Sequence, residues 1–394
     1  MFPNIFLEVF AVVVLVSVVI SQNIFDPDAQ FDAEAQKLCG FSTDEFIRYH
    51  GYESENHTVR TEDQYILTIF RANSKKCSNE KREPVLLVHG LTSTSDAFVT
   101  NPGNESLALF LADACYDVWL TNCRGTFYSK NHTTKNPDDV SSGFWNFTWY
   151  EIAIYDHPAV IDYILAQTNS SQLYYVGHSQ GTTTLLVLLS KRPEYNDKIN
   201  VASLMAPVGS FKYLDNSTKA AASAAFTLLS PFRNTELQLH SAVQVDLKRV
   251  LCAPSNIFGL CSHASEGQRN RSLELVYGCH NSGAALNQFL HYGECVKYQY
   301  FGMYIQEPGI NPMIPDDFPL QNIKAKITLH YSAADPVADP QDVLELQSKL
   351  SNVCFSKEVD LKTFDHNDFA IAIHANELVY TDIVNAWKSY CTEN

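Results

Sequence analysis

The apolar positions of this chain fall into two recurring patterns. Short, mostly apolar runs appear at 84–88, 116–120, 173–176, 201–205 and 326–331, with Pro84-Val85-Leu86-Leu87-Val88 and Leu173-Tyr174-Tyr175-Val176 free of any charged residue. Runs of this kind belong to strands covered on both faces. Between them lie stretches with helical spacing: 106–114; 149–168, through Ile152, Ile154, Val160, Ile161, Ile164 and Leu165; the apolar Leu185-Leu186-Val187-Leu188-Leu189; 340–350; and a last helix through Trp387. This alternation predicts an α/β fold, a mostly parallel sheet with helices on both faces. The flanks read as an irregular segment over 22–36, a short helix over 43–50, a first strand over 65–70, a charged hairpin connection over 73–83 and a last strand over 358–364.

The alternation lapses over 208–318. There, 220–232 is small and apolar, 237–250 is helix-like, and 274–300 is rich in aromatic, His and Asn residues; Pro308, Pro312, Pro315 and Pro319 mark a loop-like return. The expected organisation is a first core part over 22–207, a mainly helical insertion over 208–318 above the sheet's C-terminal edge, and a second core part over 319–394. A separate accessory domain is the competing reading of the insertion. Residues 1–21 read as a signal peptide: Val9 to Ile20 is apolar but shorter than the roughly 20 residues a spanning helix needs. Val19 and Ser21 are small enough for a cleavage site, and an uncleaved anchor is the alternative.

The chain of 394 residues is long enough for a large core, and its formal charge of −16 argues against nucleic acid as a partner. The same charge repels anionic lipid headgroups, so any lipid contact must be driven by apolar surface. Ten cysteines accompany seven N-x-S/T acceptors, at Asn56, Asn104, Asn131, Asn146, Asn169, Asn216 and Asn270. With the leader they predict an oxidising, glycosylating route, ending outside the cell or in the lysosome. Asn146 stands among Trp145, Phe147 and Trp149, a setting expected to bury it. No C-x-x-C or H-E-x-x-H occurs, so neither a metal nor a redox dithiol is indicated. Cys252 with Cys261 is the simplest local disulfide and Cys354 with Cys391 a looser one; Cys115 and Cys123 flank a strand and lie too far apart to bond.

Gly177-His178-Ser179-Gln180-Gly181 matches G-x-S-x-G, the nucleophile elbow of α/β-hydrolases, between a strand-like and a helix-like run. A strand reversing so sharply into a helix leaves no room for a Cβ beside the serine, which gives Gly177 and Gly181 a steric task. A serine hydroxyl also needs an imidazole to take its proton and a carboxylate to hold that imidazole. Asp335 and His366 follow late strands in the order Ser, Asp, His. Asp339 is the rival acid but sits nearer a helix start, and His330 and His374 read as packing residues within a strand and the last helix. Asp365 and Asp368 flank the base and are expected to fix its loop, and Asp156-His157 to be a packed pair. His89-Gly90-Leu91 ends a strand, so the N–H groups of Leu91 and Gln180 are the expected oxyanion donors.

Together these motifs resemble the acid lipases, the group of gastric and lysosomal acid lipases and their secreted insect relatives. The likeness runs from about Leu38 to Trp387. It rests on Gly51-Tyr52, Thr61-Glu62-Asp63, His89-Gly90-Leu91, Leu111-Ala112-Asp113 and Tyr116-Asp117-Val118-Trp119-Leu120-Thr121-Asn122. It continues with Arg124-Gly125, Phe144-Trp145, the elbow, Ala338-Asp339-Pro340 and His366-Asn367-Asp368-Phe369. The resemblance implies an α/β-hydrolase core with a helical cap and lid, no cofactor, and hydrolysis of triacylglycerols or cholesteryl esters at a lipid–water interface. It implies Ser179 as nucleophile, Asp335 as acid partner, His366 as base, and Leu91 and Gln180 as oxyanion donors. Cys252 and Cys261 match the family's cap disulfide. Departures are Ser332-Ala333 in place of Gly-Gly before the acid, Thr121 and Cys123 in place of small residues, with Cys123 a candidate free thiol, and Ala370 after Phe369. An esterase for small soluble esters and a non-catalytic lipid-binding protein are the alternatives.

Overall fold

A computed structural model describes residues 33–77, 82–237, 269–305 and 313–392. The leader, the Cys252–Cys261 pair and nearly all of the helix expected over 237–250 lie outside the described residues. Among the described residues ten strands form: β1 (Glu53–Arg60), β2 (Ile66–Asn73), β3 (Pro84–Val88), β4 (Asp117–Thr121), β5 (Leu173–His178), β6 (Ile199–Met205), β7 (Glu236–Leu237), β8 (Ala284–Ala285), β9 (Lys326–Tyr331) and β10 (Val353–Glu358). Eight of them make one sheet in the order β1-β2-β4-β3-β5-β6-β9-β10. Pairing is parallel from β4 through β10 and antiparallel for β1 with β2 and β2 with β4. β3, β4 and β5 are buried along their whole length, which is why their sequences are so apolar.

The expected helix over 149–168 is present, with a π-turn at Ile152–Asp156 inside it. Thr148 and Glu151 start it as a reciprocal capping box. Pro158 has no N–H to give the carbonyl of Ile154, and Arg192 Nη1 donates to that oxygen instead, at 3.2 Å.

Several expectations need correction. The strand over 65–70 is the second, because β1 precedes it at the sheet edge; only Val59 of β1 is buried, so no apolar pattern announced it. Residues 73–83 are not a hairpin connection: β2 pairs with β4 and not with β3, the strand that follows it in the chain. The last strand lies at Val353–Glu358 rather than over 358–364. Its ladder with β9 is extended past Glu358 by Val359 N–H donating to Tyr331 O at 2.8 Å, before the chain turns between Leu361 and Phe364. A helix at Ala33–Leu38 occupies part of the segment read as irregular.

Between β6 and β9 lie helices Asn216–Leu229, Arg271–Cys279 and Leu286–Tyr298 and the small β7–β8 pair. Phe226, Leu229, Leu237, Leu286, Phe289 and Leu290 form a cluster of their own, and Leu91 from the loop after β3 packs against it. Among the described residues three disulfides join Cys39 to Cys279, Cys77 to Cys115, and Cys354 to Cys391, the last as the looser expectation had it. Cys123 and Cys295 are buried free thiols. All seven sequon asparagines are exposed. That corrects the expectation for Asn146, whose aromatic neighbours turn inward while it turns out.

Candidate active site

β5 ends at His178 and the following helix begins at Gln180, so Ser179 alone makes the turn. It does so at φ 53° and ψ −117°, a strained conformation for a residue with a side chain. Its N–H is tied to Met205 O of β6 at 3.0 Å. The two elbow glycines let the turn close. A Cβ on Gly177 would lie 2.7 Å from the backbone of Gly181, and one on Gly181 would run into the carbonyl oxygen of Val88.

His366 comes from the loop after β10, and its Nε2 lies 2.7 Å from Ser179 Oγ. Its Nδ1 faces Asp335, at 2.8 Å from Oδ2 and 3.0 Å from Oδ1. Asp335, in the loop after β9, accepts in addition from the N–H groups of Val337 and Ala338, each at 2.8 Å. With Nδ1–H given to the carboxylate, the lone pair of Nε2 points at the hydroxyl. Asp335 and His366 are buried while Ser179 is half-buried. Burial opposes the charge on Asp335, but the adjacent imidazole and the two backbone donors outweigh it and hold the carboxyl below its usual range. Burial likewise opposes charge on His366, and Asp335 overcomes it, so the imidazole is lifted above its ordinary value.

The structure therefore brings Ser179, Asp335 and His366 into one line and leaves the rivals out. Asp339 caps the helix Pro340–Lys349, accepting from Gln341 N–H at 2.8 Å. His330 is buried within β9, where burial pushes it down to about 3. His374 lies in an exposed turn just before the last helix, not within it. Asp156 binds Arg124 and His157 Nε2 meets Thr184 Oγ1 at 2.7 Å, a packed pair as expected.

Gln180 opens its helix, so its N–H belongs to the first turn, which has no intrahelical acceptor. The loop with Leu91 presses close, since a Cβ on Gly90 would stand 3.2 Å from that of Ser179. His89 holds this loop: Nδ1 donates to Gly90 O at 2.8 Å and Nε2 accepts from Cys123 N–H at 3.1 Å. Burial drives His89 down to about 4, so it remains a neutral strut. Burial also raises the Cys123 thiol well above its usual value, leaving it a poor nucleophile. The buried hydroxyls of Thr121 and Ser332, two of the departures noted in the sequence, have no hydrogen-bond partner among the described residues.

Two supports escaped the sequence. His178 Nε2 donates to the backbone oxygen of His366 at 2.8 Å, bracing the loop of the imidazole. Arg124, fully buried, grips Asp63 through both terminal nitrogens at 2.6 and 2.8 Å and Asp156 through Nε at 2.7 Å, with the Tyr65 ring 4.0 Å from its guanidinium carbon. His178 carried a signal only as the variable residue of the elbow; nothing in the spacing joined Arg124 to two distant carboxylates.

A serine–imidazole–carboxylate line at the C-terminal edge of such a sheet defines an α/β-hydrolase. Residues 83–371 match the family described as alpha/beta hydrolase fold, and residues 43–102 that described as partial alpha/beta-hydrolase lipase region. The chain is 36% identical to Lipase 1 of Drosophila melanogaster over 350 residues, covering 86% of this chain and 78% of that protein. It is 34% identical to the gastric triacylglycerol lipase of Bos taurus over 359 residues, covering 86% and 89%. Among solved structures, a putative lipase from Sulfolobus solfataricus superposes with TM-score 0.54 at 13% identity, covering 85% of this chain and 93% of that one, a likeness of fold alone. The chain belongs to the acid lipase family, and it is a carboxylic ester hydrolase.

Proposed function

We propose that this enzyme hydrolyses the ester bonds of neutral lipids, triacylglycerols first among them, through an acyl-enzyme on Ser179. His366 takes the proton of Ser179 as Oγ attacks the ester carbonyl, and Asp335 stabilises the imidazolium that forms. The N–H groups of Leu91 and Gln180 hold the oxyanion. His366 then returns the proton to the departing alkoxide, and water, deprotonated by the same imidazole, releases the fatty acid. The observation that carries this reading is the 2.7 Å approach of His366 Nε2 to Ser179 Oγ with Asp335 behind it at 2.8 Å.

The triacylglycerol preference draws on the gastric relative's name and on apolar surface. Leu228 and Phe232, on the small apolar stretch after β6, are 46% and 42% exposed. On a chain of charge −16, such surface is what can meet a lipid interface. Residues 208–318 would act as the cap, since Leu91 packs on its apolar cluster and Gln180 Nε2 donates to Gln288 Oε1 at 2.8 Å. The leader over 1–21, the exposed sequons and the disulfides support a secreted or lysosomal destination. Among the described residues no helix is long and apolar enough to cross a membrane.

The test is fluorophosphonate labelling, with rates on emulsified long-chain triacylglycerol and on a dispersed short-chain ester. Labelling lost in Ser179→Ala, with kcat down on the order of 10⁶ and emulsion hydrolysis in the wild type, is expected. Labelling that survives the substitution refutes the nucleophile, and turnover of the soluble ester alone refutes the lipid preference.

A further inference from the structure

Asp365 and Asp368 stand on either side of His366, and their loop is wound around their own carboxylates. Asp365 Oδ1 accepts from the N–H groups of Asn367 and Asp368 at 2.9 and 3.2 Å, while Asp368 Oδ2 accepts from Asp365 N–H at 2.7 Å. Two carboxylates this close and this buried repel each other and need a cation. It comes from a distant stretch of chain. Arg269, buried and two residues before the helix Arg271–Cys279, donates from Nε to Asp368 Oδ1 at 2.6 Å and from Nη2 to Asp365 Oδ1.

We propose that Arg269 is a positioning residue for His366: it fixes the loop that presents the imidazole and offsets the two negative charges beside it. This rests on the reading of His366 as the base. A guanidinium suits the task because its planar fork reaches both carboxylates at once, which an ammonium on a flexible stem cannot do. The arginine lies on the segment between β6 and β9, so alignment of the base depends on that segment being seated. The Asp368 carboxyl stands raised to about 6: burial is the largest cause, Arg269 works against it, and the neighbouring Asp365 adds to it. The charge of Asp365 also reaches His366, adding to the larger effect of Asp335 in favouring the imidazolium. The other titratable groups facing this centre are His178 on the elbow and Tyr277 on the helix Arg271–Cys279, both held neutral by burial. Arg269 is thus the cation that balances Asp365 next to the base.

The test compares the wild type, Arg269→Met, Arg269→Lys and Arg269→Met/Asp365→Asn by kcat, KM and pH profile on a soluble short-chain ester. Arg269→Met should lower kcat on the order of 10²-fold with KM little changed. It should also move the acid limb of kcat/KM to higher pH, because an unbalanced Asp365 favours the protonated, inactive imidazole. Adding Asp365→Asn should bring the limb back down. Arg269→Lys keeps the charge but not the fork, so kcat should fall while the limb stays in place. A Met variant whose limb does not move, with activity lost only in step with thermal stability, overturns the proposal. Should the Met variant fail to fold, the Lys variant decides: wild-type kcat in it overturns the proposal, and reduced kcat with an unmoved limb supports it. Labelling of wild-type Ser179 is run in parallel, so that absent labelling counts against the hydrolytic assignment and not against Arg269 alone.

Discussion

The ring of His178 and the backbone of His366 are joined by a hydrogen bond of 2.8 Å, so the residue before Ser179 also braces the loop that brings the imidazole to it. Burial, reinforced by the neighbouring His366, pushes His178 down to about 3, and it stays a neutral donor throughout the working range. Loss of a neutral hydrogen bond is worth about 1 kcal/mol, so His178→Phe should slow turnover about fivefold. His178→Gln, which keeps a donor, should recover part of that loss. Stopped-flow acylation by a chromogenic ester reads the difference directly, and equal rates for the three proteins would show that the brace does nothing.

Asp335→Asn replaces the group that fixes the tautomer of His366. An asparagine can offer its NH2 to Nδ1, turning the lone pair away from Ser179, and kcat should drop on the order of 10⁴-fold. The acid limb of the residual activity should also move to lower pH. In the proposed mechanism the ring must be neutral to accept a proton, and Asp335 is what lifts His366 above the ordinary imidazole range. A pH–rate profile unchanged in position would contradict this role.

Arg124→Met removes the guanidinium held between Asp156 and Asp63. Asp156 is then left buried and unpaired, at a cost of about 3–5 kcal/mol. Chemical denaturation of the two proteins should show this as a lower midpoint. The double change Arg124→Met/Asp156→Leu, which removes the stranded charge, should recover part of the stability.

His280 gives a pH signature of its own. Nδ1 lies 2.9 Å from Asp96 Oδ2 and Nε2 3.0 Å from Leu38 O, two acceptors that only the doubly protonated ring can satisfy. Burial opposes that charge, but Asp96 overrides it and raises the imidazole above its usual value. The pair's contribution is complete below the unfolded imidazole's pKa of about 6.5 and vanishes as pH rises through the raised folded value. The gap in Tm between the wild type and His280→Gln should therefore be widest in acid and narrow in alkali. A gap that is constant or grows with pH would rule the imidazolium out.

How much of this could be read in advance follows from what each feature buries. The strands around Ser179 were legible because β3, β4 and β5 are covered on both faces and their residues are almost uniformly apolar. The alignment of Ser179, His366 and Asp335 was legible because each of the three follows a strand end in a fixed chain order. β1 was not, since seven of its eight residues face water to some degree and its polar sequence looks like a loop. β10 was misplaced for a related reason: Val359, Asp360, Leu361 and Lys362 alternate as a strand would, while no residue of the true edge strand is buried. The Cys39–Cys279 bond spans 240 residues and Arg269 reaches Asp365 across 96. Contacts so distant in sequence leave no local periodicity behind.

The sheet order has a consequence for how the chain comes into being. β6 and β9 are hydrogen-bonded neighbours, yet every helix lying between them in sequence must be made before β9 can join. A ribosome thus releases Ser179 well ahead of Asp335 and His366. Any nascent or truncated product ending before those residues carries the Ser179 hydroxyl without the imidazole and carboxylate that line up behind it, so on the proposed mechanism the chain starts out silent and turns reactive only with its closing strands.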